Sequence, residues 1–183
     1  MKTVTLKNLG NTCYFNSILQ CFINSKKFQE RIKKAKVIPI IHELQKLVNN
    51  IDLTNNEQYI HVLYDPSDLL AHFTNMFKRF QQHDAHEFLI HFLDILQEYS
   101  VDYHGSLKTT IKCTNCNNII SKSESFNTIN LNTNSKDTLI DHFIEYLEKE
   151  EIEYKCEKCP CLKSYKKITL MAVSYTHLTL PTN

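Results

Sequence analysis

Apolar residues in the first 104 positions recur at the spacing of amphipathic helices. A stripe that starts two residues after Cys13 runs at i, i+3, i+4, i+7 and i+8, which predicts a helix with one buried face. This stripe consists of Phe15, Ile18, Leu19, Phe22 and Ile23. Cys21 lies within the same helix, and we expect it in the core. A shorter stripe predicts a second helix and consists of Ile40, Leu44, Leu47 and Val48.

Two further helices are predicted before residue 104. The third follows Asp65-Pro66, an N-cap residue and a first-turn proline, and the fourth starts at Asp84, which pairs with Glu87 as a capping pair. The third is expected to bury Leu69, Leu70, Phe73, Met76 and Phe77, and the fourth Ala85, Phe88, Leu89, Phe92, Leu93 and Leu96. The basic run over residues 26–36 is interpreted as a solvated helix face. Residues 1–104 are therefore predicted to be mostly helical.

The pattern changes from helical spacing to alternation at Gly105. Alternating apolar positions lead into Cys113 and again into Cys156, which predicts strands that end at these cysteines. Between them, the apolar positions of residues 139–147 predict one inserted helix, capped near Ser135 or Asp137. The Asn-rich stretches 49–56 and 115–134 are interpreted as loops and hairpin connections. The predicted fold class is α+β, with a helical first part and a β-rich second part.

Composition places the chain among ordinary globular proteins and excludes some partners. Its 183 residues suffice for a domain with a hydrophobic core, and 42% are hydrophobic and 22% charged. A net charge of +1 provides no overall field for nucleic acid or an acidic membrane. No apolar run is long enough to span a bilayer, and Met1–Val4 turns polar too early for a signal peptide. We therefore expect an intracellular, reducing location.

The cysteines indicate metal binding rather than disulfides. They number seven, and four of them form two CxxC pairs, Cys113–Cys116 and Cys156–Cys159, separated by 39 residues. Four thiolates at this spacing, at the ends of two strands, are typical of a closed tetrahedral Zn²⁺ site with a structural role. Cys161 is a possible substitute ligand, but the CxxC spacing favours Cys156 and Cys159.

Cys13 has two interpretations from its surroundings alone. At the start of a helix, unpaired backbone N–H groups and the positive end of the dipole favour a nucleophilic thiolate. Gly10 permits a close backbone approach, and the amide of Asn8 could donate to an oxyanion. The alternative is a buried cysteine at a helix start, because free cysteine is among the most buried residue types.

Three motifs in order resemble the ubiquitin-specific proteases, a family of papain-like cysteine isopeptidases. "NLGNTCYFNSILQC" (residues 8–21) is similar to the family's cysteine box, and "QQHDAHEFL" (residues 81–89) to its second motif. The CxxC pairs, including "YKCEKC", resemble its zinc-binding fingers. The resemblance covers about residues 4–170.

The resemblance implies a fold, a reaction and a role for each matched residue. Cys13 would attack the carbonyl of the ubiquitin C-terminal glycine, Asn8 would supply the oxyanion donor, and Gln82 and Asp84 would line the channel for the ubiquitin tail. Asp84 can serve as an N-cap at the same time. Residues 1–104 would form a papain-like helical thumb and residues 105–170 the zinc-binding β fingers. The partners would be ubiquitin or ubiquitinated proteins, in the cytoplasm or nucleus of a eukaryote or of a cell infected by a eukaryotic virus.

The family's catalytic histidine has no match in this sequence. His177 has no glycine before it and no aspartate after it, so we assign it no role. Residues 171–183 depart from the Lys/Asn-rich style of the chain and form an out-of-pattern tail, with an artefact as one explanation. We therefore expect an N-terminal part of a longer deubiquitinase, with an incomplete palm and weak or no activity by itself.

Two other functions stay open from the sequence. A ubiquitin-binding relative without catalysis would keep the fingers and the channel, although the intact Cys13 and Asn8 argue against it. A zinc-ribbon module that binds nucleic acid is the poorest alternative, because the charge is near neutral and no basic and aromatic stripe flanks the CxxC pairs.

Overall fold

The structure is a computed structural model, and it describes residues 3–55, 61–99, 101, 103–132 and 138–173. The side chains of residues 3, 52–55, 61, 172 and 173 are not described. Outside the described residues lie the part of the predicted tail beyond Val173, which includes His177, and both predicted caps of the inserted helix, Ser135 and Asp137. The chain divides into two compact units, Met1–Asp102 and Tyr103–Asn183.

The described elements confirm a mixed helix and sheet fold. The helices are α1 (Cys13–Ile23), α2 (Lys26–Lys34), α3 (Pro39–Asn55), α4 (Ser67–Ala71), α5 (Ala85–Glu98) and α6 (Leu139–Leu147). The strands are β1 (Thr3–Leu6), β2 (His61–Tyr64), β3 (Gly105–Cys113), β4 (Ile119–Phe126), β5 (Glu150–Glu153) and β6 (Lys163–Val173). Within the described residues, no helix combines the length and the apolar character that crossing a bilayer requires.

An aromatic cluster forms the core of the first unit. Phe15 of α1 and Phe88 of α5 are fully buried, with ring centroids 5.2 Å apart, and Phe73 packs edge-on against both. Burial of each such side chain stabilises the fold by about 1.5–3 kcal/mol, and the edge-to-face packing of the rings adds further stability. Through Phe15, this cluster anchors the first turns of α1 in the core.

Two side chains predicted to be buried are exposed instead. Cys21 lies on the exposed stripe that Cys13 and Ser17 begin, because a spacing of i, i+4 and i+8 keeps these residues on one helix face opposite Leu19. The prediction of Cys21 as a core residue is therefore wrong. Met76 is 57% exposed, because the third helix ends at Ala71 and the chain continues in turns that bury Phe73 and Phe77 but turn Met76 outward.

A parallel pair of short strands in the first unit was not predicted. Val4 of β1 pairs with Val62 of β2, and the backbone N–H of Lys7 continues the pairing by donating to the carbonyl of Tyr64. Parallel strands require a crossover connection, which here contains α1, α2 and α3.

The basic run over residues 26–36 forms helix α2. This helix buries Phe28 and Ile32 and leaves Lys26, Lys33 and Lys34 exposed.

The second unit is a four-stranded antiparallel sheet in the order β4-β3-β6-β5. The two Asn-rich stretches were expected to be loops, but the first contains the end of α3 and the second contains strand β4. Helix α6 is capped at Thr138, whose side chain accepts from the N–H of Asp141 while the Asp141 carboxylate accepts from the N–H of Thr138. The cap therefore lies just after the predicted positions.

Candidate functional site

Residues 8–12, which we call the cysteine loop, place Asn8 next to the start of α1. The side-chain oxygen of Asn8 accepts hydrogen bonds from the N–H of Gly10 (3.0 Å), the N–H of Thr12 (3.4 Å) and the hydroxyl of Thr12 (3.2 Å). Because backbone N–H groups can only donate, the atom they meet is the amide oxygen. Because Oδ1 accepts these bonds, the Nδ2 group is the part of the Asn8 amide that can donate to another acceptor.

The N-terminus of α1 has no side-chain cap. Thr12 is at the N-cap position, but its buried hydroxyl accepts from the N–H of Leu9 (3.0 Å) and bonds within the loop instead. The backbone carbonyl of Thr12 still accepts from the N–H of Asn16 (2.9 Å). Cys13 is the first residue of the helix and is exposed as a free thiol. The positive end of the helix dipole is therefore beside the Cys13 thiol without a competing capping oxygen.

Two amide side chains attach α1 to β1. Gln20 donates to the carbonyl of Val4 (2.9 Å), and Asn16 donates to the carbonyl of Lys7 (3.2 Å). Their i, i+4 spacing puts both on the helix face next to the strand. Sequence reasoning missed both residues, although this amide spacing within the cysteine box was the available signal.

The second motif lies beside the cysteine loop. Asn11 donates from Nδ2 to the carbonyl of Phe80 (2.9 Å), and the Phe80 ring lies directly against Gly10. The ring of Tyr14, the residue after Cys13, packs edge-on against His83 with centroids 5.1 Å apart. Burial raises the pKa of the Tyr14 phenol, and the nearby Cys13 acts in the same direction. Sequence reasoning missed Phe80, which has no recognisable signal in its neighbourhood.

The contact with His83 sets the location of the two predicted tail-binding residues. Gln82 and Asp84 flank His83 and are both exposed. The Asp84 carboxylate caps α5 by accepting from the N–H groups of Glu87 (2.9 Å) and His86 (2.7 Å), and these bonds hold the pKa of Asp84 below its ordinary value. A carboxylate that is ionised and exposed can accept hydrogen bonds from an incoming peptide.

The two CxxC pairs meet at one end of the sheet in the second unit. Cys113 ends β3 in the β3–β4 hairpin, and Cys156 and Cys159 lie in the β5–β6 hairpin. The hairpin turns come together because β3 and β6 are antiparallel neighbours, with Cys113 opposite Ser164. Sequence spacing predicted the two hairpins, and the strand before Cys113 ends there as predicted, but β5 ends at Glu153 and not at Cys156. The order of strands explains how the hairpins meet.

The four sulfur atoms are close enough together to bind one metal ion. They lie within 4.8 Å of one another, with 3.6 Å between Cys113 and Cys159 and 3.5 Å between Cys116 and Cys156. Ligands at about 2.3 Å from a tetrahedral metal would be about 3.8 Å apart, so these residues fit a metal ion. The backbone N–H groups of Cys116 and Asn115 lower the pKa of the Cys113 thiol, whereas at Cys116 the N–H of Asn118 is outweighed by burial and the neighbouring sulfurs, which raise the pKa of the Cys116 thiol to about 12.

Cys161 lies outside this group. Its sulfur contacts the hydroxyl of Thr114 (3.4 Å) and the backbone N–H of Lys163 (3.5 Å), and its carbonyl accepts from the N–H of Cys156. The four CxxC cysteines, without Cys161, form the one candidate metal group found among the described residues.

Comparison with known proteins identifies relatives that match most of the chain. Ubiquitin carboxyl-terminal hydrolase 23 of Arabidopsis thaliana is 25% identical, over 93% of this chain and 23% of the relative. Ubiquitin carboxyl-terminal hydrolase 37 of Homo sapiens is 27% identical, over 83% of this chain and 20% of the relative. The chain therefore spans less than a quarter of the length of these curated relatives.

A solved structure shares the fold. The SAGA DUB module, which contains Ubp8, Sgf11, Sus1 and Sgf73 bound to monoubiquitin, matches 94% of this chain and 46% of the solved chain with a TM-score of 0.72 and 20% identity. The profile of the ubiquitin carboxyl-terminal hydrolase family matches residues 4–179. Because this match covers nearly the whole chain, the protein belongs to the ubiquitin carboxyl-terminal hydrolase family.

Proposed function

We propose that this chain is part of a thiol-dependent deubiquitinase that cleaves peptide or isopeptide bonds at the C-terminus of ubiquitin. Cys13 is the nucleophile, Asn8 is the oxyanion donor, and Gln82 and Asp84 bind the extended ubiquitin tail. Family membership and the monoubiquitin-bound neighbour of the same fold support this proposal. The observation that carries it is that hydrogen bonds to Gly10 and Thr12 hold Asn8 next to the start of α1, where Cys13 is the first residue.

The first step is addition of the Cys13 thiolate, whose proton has passed to a base that we assign to no described residue, to the carbonyl carbon of the ubiquitin C-terminal glycine. A C–S bond forms, and the electron pair of the carbonyl π bond moves to oxygen. The Nδ2 group of Asn8, whose amide oxygen is held in the loop, donates to that oxyanion. An oriented donor of this kind acts on charge that develops only in the transition state.

In the second step the oxyanion re-forms the carbonyl, the C–N bond breaks, and a thioester remains on Cys13. The departing amine takes up a proton, and water then cleaves the thioester to release the ubiquitin carboxylate and the thiol. The residue that gives the amine this proton is the general acid, and we assign this role to none of the residues that the structure describes. His83 is unsuited to the role, because its Nε2 donates to the carbonyl of Lys78 (3.1 Å) and its ring packs on Tyr14 and Phe77.

The metal of the second unit is proposed to be zinc. Four thiolates in a closed tetrahedral set leave no open coordination position for substrate, which is typical of structural zinc. Cys113, Cys116, Cys156 and Cys159 would hold it. Its contribution is to join the two hairpins, and no step of the reaction passes through it.

A ubiquitin probe with a C-terminal electrophile tests the proposed function. We expect the 183-residue chain to form a covalent adduct with ubiquitin vinyl methyl ester, detected by intact mass and mapped to Cys13. The thiol captures this probe directly, so no leaving amine has to be protonated. Cys13→Ala is expected to form no adduct.

Cys21→Ala is the matched control, because Cys21 is an exposed thiol on the same helix. This variant is expected to react like the original chain. Binding of ubiquitin without any adduct would favour the relative that lacks catalysis. The absence of both ubiquitin binding and a covalent adduct would refute the proposal.

A further inference from the structure

Phe80 combines an exposed aromatic ring with an unusual backbone conformation. Its side chain is 72% exposed, and its φ angle is 63°, in the left-handed region that bulky residues rarely adopt. Such a conformation costs about 1–3 kcal/mol and persists where surrounding contacts impose it. Exposure of a large apolar ring and backbone strain occur together here, two residues before Gln82.

The contacts of Phe80 are made with two residues of the cysteine loop that also have positive φ angles. A Cβ atom placed on Gly10 (φ 93°) would lie 2.7 Å from Cδ1 of Phe80, so the ring packs against the glycine without room for a side chain. Asn11 (φ 53°) donates from Nδ2 to the Phe80 carbonyl at 2.9 Å. Three of the positive-φ residues in the described part of the chain thus contact one another.

Gly10 connects Phe80 to the proposed oxyanion donor. Its backbone N–H donates to the side-chain oxygen of Asn8 (3.0 Å), while the Phe80 ring covers its Cα. Movement of Gly10 would therefore change the direction of the Asn8 amide. The Cys13 thiol is less affected, because α1 is separately attached to β1 through Gln20 and Asn16.

We infer that Phe80 is a positioning residue, whose ring holds Gly10 and thereby orients the Nδ2 group of Asn8 toward the oxyanion. This inference rests on the proposed function and adds a residue that acts through Asn8 rather than on substrate. Positioning matters because a displacement of about 1 Å can lower a rate by about a hundredfold. Phe80 should therefore influence binding of an oxyanion-like group more than binding of ubiquitin itself.

Binding of ubiquitin aldehyde and of unmodified ubiquitin separates these two effects. With the aldehyde, a C–S bond forms, the C=O π bond breaks, and the thiol proton ends on the oxygen, giving a hemithioacetal at the position of the oxyanion. Unmodified ubiquitin binds without this group. We expect Phe80→Ala to weaken aldehyde binding by about tenfold or more and ubiquitin binding by less than about twofold.

Rescue and a second variant make the inference falsifiable. Phe80→Tyr keeps the ring and can direct its hydroxyl to solvent, so it should restore aldehyde binding. Asn11→Gly removes the bond to the Phe80 carbonyl and tolerates the positive φ angle, so it should show the same selective loss. If Phe80→Ala fails to fold in a thermal melt, Asn11→Gly and Phe80→Tyr decide the question.

Phe126→Ala is the matched control, because the Phe126 ring also lies against a glycine, Gly105, in the other unit. It should leave both affinities unchanged. Equal losses for the aldehyde and for ubiquitin in Phe80→Ala would overturn the inference and make Phe80 a substrate contact. Unchanged aldehyde binding would overturn it as well. Failure of the original chain to bind the aldehyde would instead refute the proposed function, and this inference with it.

Discussion

At the scale of single residues, Thr12 shows how the site uses a polar side chain. Its position would suit a helix cap, yet its hydroxyl, on a side chain only 3% exposed, bonds to the N–H of Leu9 and to Asn8. The loop gains its conformation, and the first turn of α1 keeps N–H groups free of a side-chain cap beside Cys13. A residue that commonly stabilises a helix here stabilises the loop before it.

We predict that Thr12→Val destabilises the first unit by about 1–3 kcal/mol, because the partly buried N–H of Leu9 loses its partner. Thr12→Ser is the matched control, since it keeps the hydroxyl and loses one methyl group, worth about 0.8 kcal/mol. Urea unfolding followed by helical circular dichroism measures both variants. A serine variant that is less stable than the valine variant would contradict the assigned role of the hydroxyl.

At the scale of elements, α5 depends on a cap that also belongs to the proposed substrate channel. Asp84 accepts from two backbone N–H groups of the first turn, and this bonding lowers the pKa of its carboxyl group. The helix then contributes Phe88 and Phe92 to the core. An exposed residue therefore links the start of a core helix to the second motif.

We predict that part of the stability of α5 is lost in acid. The folded pKa of Asp84 lies below its unfolded value of about 3.9, so the contribution is present above that pH and disappears as the pH falls through the folded pKa. Asp84→Asn retains a good N-cap without this titration. Urea midpoints of both proteins between pH 6 and pH 3 are the measurement.

The difference in midpoint between the two proteins should change below about pH 4, in the direction that costs the original chain more. Subtracting the two curves removes acid effects that the two proteins share. Parallel curves over the whole range would show that Asp84 does not contribute in this way.

At the scale of the whole molecule, the two units have different sources of stability. The first unit has a core of many buried apolar side chains, including Phe15, Phe88 and Phe92. Among the described residues of the second unit, the buried apolar side chains are Phe143, Cys113 and Cys156. Burial of one Phe supplies about 3 kcal/mol, whereas structural zinc supplies about 10–16 kcal/mol in small domains. The sheet should therefore depend on the metal.

We predict that removal of the metal unfolds the second unit and spares the first. A chelator, or the Cys156→Ser substitution, should expose residues of β3–β6 to limited proteolysis while most of the helical signal of α1–α5 persists. Cys161→Ser is the control, and it should keep about one zinc ion per chain because Cys161 is outside the ligand group. Loss of zinc in Cys161→Ser, or an intact sheet after chelation, would contradict this account.

Much of the fold followed from local patterns. Helical spacing predicted α1, α3 and α5 because burial of one face imposes a period of 3.6 residues on any sequence. The same reasoning misplaced Cys21 and Met76, since a stripe shows which residues could be buried but not where the neighbouring elements end. Strand β4 was missed because its exposed Ser and Lys residues have little strand preference, and pairing with β3 determines its conformation.

The sequence by itself determined the family, the α+β class and the spacing of the cysteines that could bind a metal, because motifs and CxxC pairs are local in the chain. Only the tertiary structure revealed the strand order that brings the two hairpins together. It alone also revealed the contact of Phe80 with Gly10, 70 positions earlier in the chain. Contacts between distant segments depend on packing in three dimensions, and no periodicity along the chain records them.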